Sequence, residues 1–369
     1  MTNGAIAHAR LRNSRLVGAG LPTAEAVVEW FGAVQSQDVP GALWGIAQRL
    51  AVPEPTTIED LGAAMDAGRF IRTHGPRPTW HFLAPGDLRW ILALVGPRVG
   101  IANGSINRRE RVTAADQSRA VEILRSRLAG GVAMTRAELA AAFAEGGIPD
   151  ASGLRVGLLG MHAELAAIIC NGPRRGRGST FVLVDAFVPP APVLDDVAAL
   201  RELTIRYFRS HGPALVHDMA WWSGLTVSAV REGIRLAGDR LEGRRLDGKE
   251  YWAAAGGFDP GTGPGPAPSI LLLPNYDEYL GSYADKSPIL DERLPRARNV
   301  SDVLGAQLVV RDGLVVGGWR RAVSRDRATV NVTLLLPLTA TERDALEAAA
   351  AAFGRFMGLP VELHLVSAA

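Results

Sequence analysis

The sequence predicts an α+β protein in which a helix-turn-helix followed by a β-hairpin occurs three times, ahead of a C-terminal α+β region. Three observations lead to this prediction. Apolar runs with helical spacing are followed by pairs of short apolar runs that turn residues separate. This order recurs along residues 10–257, although the copies share few identical residues. A stretch rich in glycine and proline, residues 258–269, then marks a linker before the final strands and helix.

Composition is that of a soluble globular protein with several domains. The chain has 369 residues, of which 47% are hydrophobic and 21% are charged. No apolar run is long enough to span a bilayer, and the N-terminus lacks the apolar segment of a signal peptide. Cys170 is the only cysteine, so no disulfide can form within the chain. We therefore expect a cytoplasmic protein.

The basic residues are almost all arginine. The formal net charge is +2, and all but two of the 40 basic residues are arginine, because lysine occurs only at Lys249 and Lys286. Arginine presents a planar fork of donors that suits phosphates and base edges, as in nucleic-acid-binding proteins. A GC-rich coding sequence would also favour arginine codons, so the count alone does not decide between the two explanations.

The first copy begins with a helix over residues 24–34, for which Thr23 is the predicted N-cap. The polar sequence Gln35-Ser36-Gln37-Asp38, here called the QSQD segment, follows, and Pro40 opens the next helix. A residue before proline favours extended backbone, so Val39 is expected outside that helix. The two glutamines are then expected at a helix end or in a tight turn between helices, and in a turn their amides can converge. An ordinary polar turn is the alternative interpretation of the QSQD segment.

A third helix and a hairpin complete this copy. Thr57 and Asp60 have the spacing of a capping box, and Gly68 is expected to end the helix that they begin. The sequence RFIRTHGPRPTWHFLAP predicts two short strands around a turn at Gly75-Pro76. Three helices followed by a hairpin is the order of elements in a winged helix-turn-helix.

Two further copies follow along the chain. In the second, Thr135 and Glu138 have the spacing of a capping box, and a hairpin with a basic turn follows the second helix. In the third, residues 226–237 have the position of a recognition helix, and Asp247-Gly248 is the predicted hairpin turn.

Domain boundaries follow from these patterns. We assign three winged-helix units to residues 1–125, 126–195 and 196–257, the linker to residues 258–269, and the C-terminal α+β region to residues 270–369. In this last region the sequence predicts a buried strand, a hairpin around Asp312-Gly313, a further strand, a helix over residues 341–357 and a closing strand.

Several kinds of chemistry are excluded by the patterns. The seven histidines are scattered, without the spacing of a metal site. No glycine-rich loop follows a strand to bind a phosphate, and Ser223-Gly224 lacks the flanking glycine of a nucleophile elbow. An enzyme without metal or cofactor, or a pure binding protein, remains.

Four segments together resemble one known family: GAVQSQD, IRTHGPRPTWHFLAPGDLRW, MAWWSGLT and LLLPNYDEYLGSYADKS. The combination resembles the AlkZ-type winged-helix DNA glycosylases over nearly the whole chain. Within that family it looks like the azinomycin-resistance branch that unhooks interstrand cross-links, because glutamine fills both positions of the Gln-x-Gln motif at Gln35 and Gln37. The resemblance implies three tandem winged helices that form a concave, basic DNA-binding surface. It also implies that Gln35 and Gln37 are the catalytic pair in the cleft of that surface.

The activity implied by the resemblance is a monofunctional DNA glycosylase that hydrolyses the N-glycosidic bond of N7-alkylated purines without metal or cofactor. Alkylation at N7 makes the base a cationic leaving group that needs no strong acid, and the sugar becomes oxocarbenium-like. A neutral amide can accept a hydrogen bond from the attacking water and turn its dipole toward that charge. Asp38 is the rival general base, although beside Pro40 it is expected as a turn or cap residue. We expect attack without base extrusion, because a cross-linked base can hardly be flipped.

The expected partner is double-stranded DNA carrying alkylated or cross-linked purines, bound by a monomer in the nucleoid. Candidate DNA contacts on the predicted hairpins are Arg72, His74, Arg77, Arg174, Arg175, Arg177, Arg311, Arg320 and Arg321. Asp277 and Glu278 could serve an active site, but a place at a helix end or between domains is the expectation. Trp80, Trp221, Trp222 and Trp252 are expected in the core or packed against the wings, and not as stacking platforms for bases.

The alternative function is a non-catalytic winged-helix DNA-binding protein, either a transcription regulator or a protein that sequesters a drug. A regulator would favour one operator sequence, whereas a glycosylase would bind duplex DNA with little sequence preference. Binding in either case would weaken steeply with salt if arginines neutralise several phosphates.

Overall fold

The computed structural model of the protein describes residues 3–51, 55–148, 150–176, 178–259, 261, 269–294 and 307–366. The predicted DNA contact Arg177 lies outside the described residues, as does most of the expected linker at residues 258–269. The described part is a mixed α+β structure, as the sequence predicts. None of its helices is long and apolar enough to cross a membrane.

The helices of the described part are α1 Asn3–Asn13, α2 Ala24–Phe31, α3 Val39–Ala47, α4 Ile58–Asp66, α5 Leu88–Ala102, α6 Gly104–Arg109, α7 Ala114–Arg127, α8 Arg136–Glu145, α9 Gly153–Leu165, α10 Val184–Phe187, α11 Asp196–His211, α12 Val216–Ser223, α13 Val227–Ala237, α14 Glu278–Gly281 and α15 Ala340–Met357. Its strands are β1 Val34–Gln35, β2 Ile71–His74, β3 Trp80–Leu83, β4 Met134–Thr135, β5 Ile169–Arg175, β6 Gly178–Leu183, β7 Ala214–Leu215, β8 Leu241–Leu246, β9 Lys249–Ala254, β10 Ile270–Leu273, β11 Gln307–Arg311, β12 Leu314–Val323, β13 Ala328–Leu334 and β14 Val361–Val366.

One order of elements occurs three times. A helix (α2, α7 or α11) is followed by a two-residue strand (β1, β4 or β7), two helices and a hairpin. In each copy the short strand pairs with the second hairpin strand, which gives three-stranded sheets of order β1-β3-β2, β4-β6-β5 and β7-β9-β8. We call these copies the first, second and third unit. The short strands were not predicted, because two residues are too few to show an alternating pattern.

Threonine side chains begin several helices at the predicted positions. Thr23, Thr57 and Thr135 each accept a hydrogen bond from a backbone N–H in the first turn of the following helix. The predicted extended conformation of Val39 is wrong, because α3 begins at Val39 and Pro40 lies in its first turn. Proline is tolerated there, since the N–H that it lacks would have no partner within the helix.

The helix predicted over residues 24–34 is shorter than expected. It ends at Phe31, because Gly32 adopts a positive φ of 80° that stops the helix. Val34 and Gln35 then form β1, so the QSQD segment starts in a strand instead of a helix end.

The C-terminal sheet packs on the first unit. Its strand order is β10-β11-β12-β13-β14, with β13 and β14 parallel and the other pairs antiparallel. Trp44 of α3 lies with its ring centroid 5.4 Å from that of Phe353 in α15, and its indole N–H donates to the Leu272 carbonyl at 2.7 Å. These residues belong to one hydrophobic core, so the expected linker does not separate two independent cores.

The first domain boundary falls within a helix. The position between residues 125 and 126 lies inside α7, which is the first helix of the second unit. Two further helices, α5 and α6, connect the first unit to α7.

Candidate active site

The QSQD segment lies between β1 and α3, against the first hairpin. Gln35 is paired with His81 of β3, and the Ser36 N–H donates to the Trp80 carbonyl at 2.8 Å. The Ser36 side chain is fully buried. The backbone of the segment is therefore anchored to the sheet of the first unit.

The two glutamines differ in exposure. Gln35 is 7% exposed, and its Nε2 donates to the Thr79 hydroxyl at 3.2 Å. Gln37 is exposed. Within the described residues, neither the Gln35 Oε1 atom nor the Gln37 carboxamide has a hydrogen-bond partner. Each glutamine thus keeps a carbonyl oxygen that can accept a hydrogen bond from water.

A buried carboxylate holds the backbone of Gln35. The Glu278 Oε1 atom accepts the Gln35 N–H at 2.7 Å, and Oε2 accepts from the Trp222 indole at 3.1 Å and from the Ser282 hydroxyl. His211 Nε2 lies 3.2 Å from the same Oε2 atom. Burial by itself would raise the pKa of Glu278, but the hydrogen bonds and the nearby His211 outweigh burial and lower it to about 2. Glu278 is therefore a fixed negative charge behind the QSQD segment.

Asp277 begins α14 and joins two regions of the molecule. Its carboxylate accepts the Tyr279 N–H at 2.9 Å and pairs with the buried Arg49 at 2.8 Å. A position at a helix end and between domains was the expectation for this residue.

Asp38 is engaged by the C-terminal sheet. Both carboxylate oxygens accept from Nη2 of Arg321 in β12, at 2.6 and 2.7 Å. Asp38 is the N-cap residue of α3, although its side chain makes no capping hydrogen bond. Because both oxygens are occupied by Arg321, Asp38 would have to leave this ion pair before it could act as general base.

Two of the predicted DNA contacts on the first hairpin are buried within the protein. Arg72 donates to the Ser36 carbonyl at 3.2 Å and to Asn171 Oδ1 at 2.8 Å. Burial lowers the pKa of Arg72 to about 10, against the opposing effect of the Glu164 charge. His74 Nδ1 lies 2.5 Å from Glu164 Oε2. Arg72 and His74 therefore support the first hairpin and the QSQD segment from the interior of the protein.

Arg77, the third candidate on this hairpin, is half-buried. Its guanidinium lies 5.7 Å from the Trp221 ring centroid, and Nη1 donates to the Gly281 carbonyl at 3.5 Å. Trp221 is 54% exposed, so of its two expected places, the core or a position against a hairpin, the core is excluded.

The arginines of the second hairpin are paired but accessible. Arg174 forms an ion pair with Asp66 at 2.8 Å and is 34% exposed at its side chain. Arg175 pairs with Glu138 at 2.7 Å and is 55% exposed. Both guanidinium groups can still meet solvent, so phosphates can compete for them.

The predicted DNA contacts on the C-terminal hairpin, and the neighbouring Arg325, differ in exposure. Arg311 lies inside the protein, 3.3 Å from Glu342 and 3.8 Å from Asp291. Arg320 and Arg325 are exposed, and neither has a charged partner among the described residues. Arg321 is the partner of Asp38.

A wide cleft runs beside the QSQD segment. It encloses about 900 Å³ between α3, α4, the second hairpin and the turn after β12. Its ionisable lining in the described part consists of four arginines and a single glutamate, namely Arg72, Arg174, Arg321, Arg325 and Glu59. Val39 and Pro40, which follow the QSQD segment directly, form part of the same wall. Arginine thus outnumbers acid in the cleft lining, although Arg174 and Arg321 are paired with Asp66 and Asp38.

Among the described residues, no three His, Cys, Asp or Glu side chains lie together as the ligands of a metal ion would.

Comparison with known proteins identifies a DNA glycosylase. Residues 28–356 match the family model described as DNA glycosylase AlkZ-like. The chain belongs to this AlkZ-like family, which confirms the resemblance inferred from the sequence. A solved structure, Streptomyces sahachiroi DNA glycosylase AlkZ, is similar in fold, with a TM-score of 0.79 and 24% identity over 98% of this chain and 99% of that one. No curated protein sequence matches the chain.

The residues that hold the QSQD segment were the part that sequence reasoning missed. Thr79 lies 44 positions from Gln35 along the chain, and Glu278 lies 243 positions away. No local pattern connects residues so far apart. The family resemblance of the segment around Glu278 was the one available signal.

Proposed function

We propose that this chain is a monofunctional, metal-independent glycosylase that hydrolyses the N-glycosidic bond of N7-alkylated purines. On this proposal it unhooks azinomycin-type interstrand cross-links and serves self-resistance and DNA repair, as a monomer acting on nucleoid DNA in the cytoplasm. The observation that carries the proposal is the pair of amides, Gln35 and Gln37, in the segment that leads directly into Val39 and Pro40 of the arginine-lined cleft wall. Two carboxylates next to this segment, Asp38 and Glu278, are both engaged by other side chains.

The three units are proposed to be winged helices that together grip the duplex. Their shared order of helix, short strand, two helices and hairpin supports this assignment. We begin the second unit with α7 instead of residue 126, and we keep residues 196–257 for the third. A concave DNA-binding surface would then include the cleft.

Phosphate contacts are proposed for the exposed arginines around the cleft. Arg174, Arg175 and Arg320 keep this role, because each is exposed. Arg177 keeps it as the sequence predicts, since it lies outside the described residues. Arg72, His74 and Arg311 are instead proposed to brace the site, because their polar groups are already used within the protein.

The leaving base needs no strong acid from the protein. An N7-alkylated purine is already cationic, so the protein must position a water and stabilise an oxocarbenium-like sugar. The exposed Gln37 amide is proposed to accept a hydrogen bond from that water, and the Gln35 carbonyl to face the developing charge. The ionised Glu278 behind Gln35 adds to this stabilisation.

The absence of a strong general base makes the reaction selective for cationic, alkylated purines over undamaged ones. A general base contributes about 10²- to 10⁴-fold in rate, or roughly 3–5 kcal/mol. A cationic base departs readily enough to react without part of that contribution, whereas an undamaged purine does not. The neutral amides therefore spare normal DNA.

Denaturing gel electrophoresis tests the proposal with two duplexes, one cross-linked and one carrying N7-methylguanine. Wild type should release unhooked strands with alkali-labile sites, and Gln37→Ala and Gln35→Ala should each lower the rate about 10²-fold. Gln117→Ala, the same change on α7, is the matched control and should retain full activity.

Full activity in both glutamine variants would contradict this site. A requirement for an added metal ion would contradict the mechanism. DNA binding without any excision by wild type would favour the non-catalytic DNA-binding protein.

A further inference from the structure

A second cavity lies next to the cleft, between the first hairpin and the second unit. It encloses about 340 Å³, within the range of sites that hold small organic groups. Arg72, Asn171 and Ser179 line both this cavity and the cleft, so the two spaces adjoin. We call it the side pocket.

Most of the side-pocket wall is apolar. Trp80, Leu139, Val156 and Phe181 contribute to it, and α9 presents Gly157 and Gly160. Gly160 is buried, yet a Cβ atom placed on it would meet nothing within 4 Å. The helix therefore leaves room at this point that a bound group can fill.

Several polar side chains of the side pocket form hydrogen bonds with one another. Glu164 accepts from Trp80 through Oε1 at 3.3 Å, and its Oε2 lies 2.5 Å from His74. Asn171 Oδ1 accepts from Arg72 at 2.8 Å. Asn171 is only 7% exposed, and its Nδ2 has no hydrogen-bond partner among the described residues. A buried amide donor without a partner is costly, so it points to a missing acceptor.

The side pocket is connected to the QSQD segment by Arg72. This side chain donates both to the carbonyl of Ser36, which lies between the two glutamines, and to Asn171. A lesion held with its sugar at the glutamines thus has the side pocket within reach of its substituents.

We propose that the side pocket binds the N7 substituent of the lesion, and that it selects a flat apolar group bearing a carbonyl acceptor. The apolar walls take the flat group, and Asn171 Nδ2 donates to the carbonyl. This inference rests on the proposed function. A purine extruded from the duplex is a poorer occupant, because its edges carry several donors and acceptors, whereas Asn171 Nδ2 is the one buried donor without a partner in the described lining.

The test compares excision of two lesions in the same duplex, N7-(2-oxo-2-phenylethyl)guanine and N7-methylguanine. Gly160→Leu fills the side pocket while it favours the helix. We expect this variant to lower the ratio of kcat/KM for the phenyl ketone over N7-methylguanine about tenfold relative to wild type, corresponding to about 1.4 kcal/mol. The intrinsic reactivities of the two lesions cancel, because the ratio measured for the variant is divided by the ratio measured for wild type on the same two lesions.

The matched control is Gly100→Leu, the same change at an exposed position of α5. It should leave the ratio unchanged, and thermal unfolding should show that both variants are folded. Asn171→Asp keeps the acceptor for Arg72 but removes the free donor. It should reduce excision of the phenyl ketone more than that of N7-(2-phenylethyl)guanine, which lacks the carbonyl.

The outcomes separate the two proposals. If wild type excises neither lesion, the proposed function fails. If wild type excises both lesions and Gly160→Leu leaves their ratio unchanged, the side-pocket inference alone is overturned. An equal loss on both lesions would mean that the pocket receives the base itself, which also overturns the inference.

Discussion

The first and third units have the same order of elements but differ where the short strand meets the next helix. In the third unit, β7 ends at Leu215 and α12 begins at Val216. The second unit is built likewise, with Thr135 followed directly by Arg136. In the first unit, three residues stand between Gln35 and Val39. Those residues are Ser36, Gln37 and Asp38, so the candidate catalytic segment is an insertion into a repeated framework.

The insertion changes how the end of the short strand is held. In the third unit the Leu215 N–H donates to Asp218, three residues later, at 2.8 Å. In the first unit the Gln35 N–H donates instead to Glu278, and the acid three residues later, Asp38, pairs with Arg321. The backbone N–H at the end of the short strand is therefore held by a local acid in the third unit and by a distant acid in the first.

The hairpins of the first and third units also differ, in how far their strands are buried. All four residues of β2 are buried, whereas the middle residues of β8 are exposed. Arg72 on the first hairpin is held inside the protein, and Arg244 on the third is 52% exposed at its side chain. The same strand order therefore contains a buried first hairpin strand in the first unit and an exposed one in the third.

The largest effect is expected when the long-range cap is removed. Glu278→Gln takes the charge from a buried pair and should lower the free energy of unfolding by about 3 kcal/mol, as urea denaturation can measure. Glu138→Gln, which alters the local cap of the exposed second unit, should cost much less. Equal losses would mean that the first unit does not depend on its distant cap.

The same variant predicts a pH dependence. The folded pKa of Glu278 is lowered to about 2 from its usual value of 4.5, so its stabilising contribution is complete above about pH 4.5 and is lost as pH falls toward 2. The difference in unfolding free energy between wild type and Glu278→Gln should therefore shrink over this interval. A constant difference would contradict an ionised Glu278.

An intermediate effect is expected for the two hairpin arginines. Arg72→Ala removes a buried guanidinium with two hydrogen-bond acceptors and should destabilise the protein by about 2 kcal/mol. Arg244→Ala, the matched change on the third hairpin, should cost less than about 1 kcal/mol, because its ion pair with Glu242 is exposed. Thermal or urea unfolding of both variants checks this order, and similar losses would erase the contrast between the hairpins.

The smallest effect concerns an arginine that remains exposed beside the cleft. Arg325→Ala should leave stability unchanged and reduce the slope of log affinity against log salt by about 1, if it neutralises one phosphate. Fluorescence anisotropy on duplex DNA at several salt concentrations measures this slope. Arg343→Ala, on the exposed face of α15, is the control and should not change it.

Local signals in the sequence predicted elements wherever one residue type has a strong backbone preference. Thr57 with Asp60 and Thr135 with Glu138 begin helices as expected, and the turn at Asp312-Gly313 joins two strands. The prediction at Val39 was wrong because a weak preference before proline gave way to the first turn of α3. The two-residue strands escaped prediction because their hydrogen-bond partners lie tens of residues away.

The α+β class and the recurring pattern can be predicted from the sequence, because capping, turn and apolar patterns involve neighbouring residues, and the family was inferred from the resemblance of four segments. Which arginines remain accessible, which acid holds Gln35 and where the side pocket lies became clear only in the folded protein. Burial and pairing depend on partners far apart in the chain, and no local pattern shows them. Arg72 and Arg244 are the same residue type on equivalent hairpins, and their surroundings alone make one a buried brace and the other a surface charge.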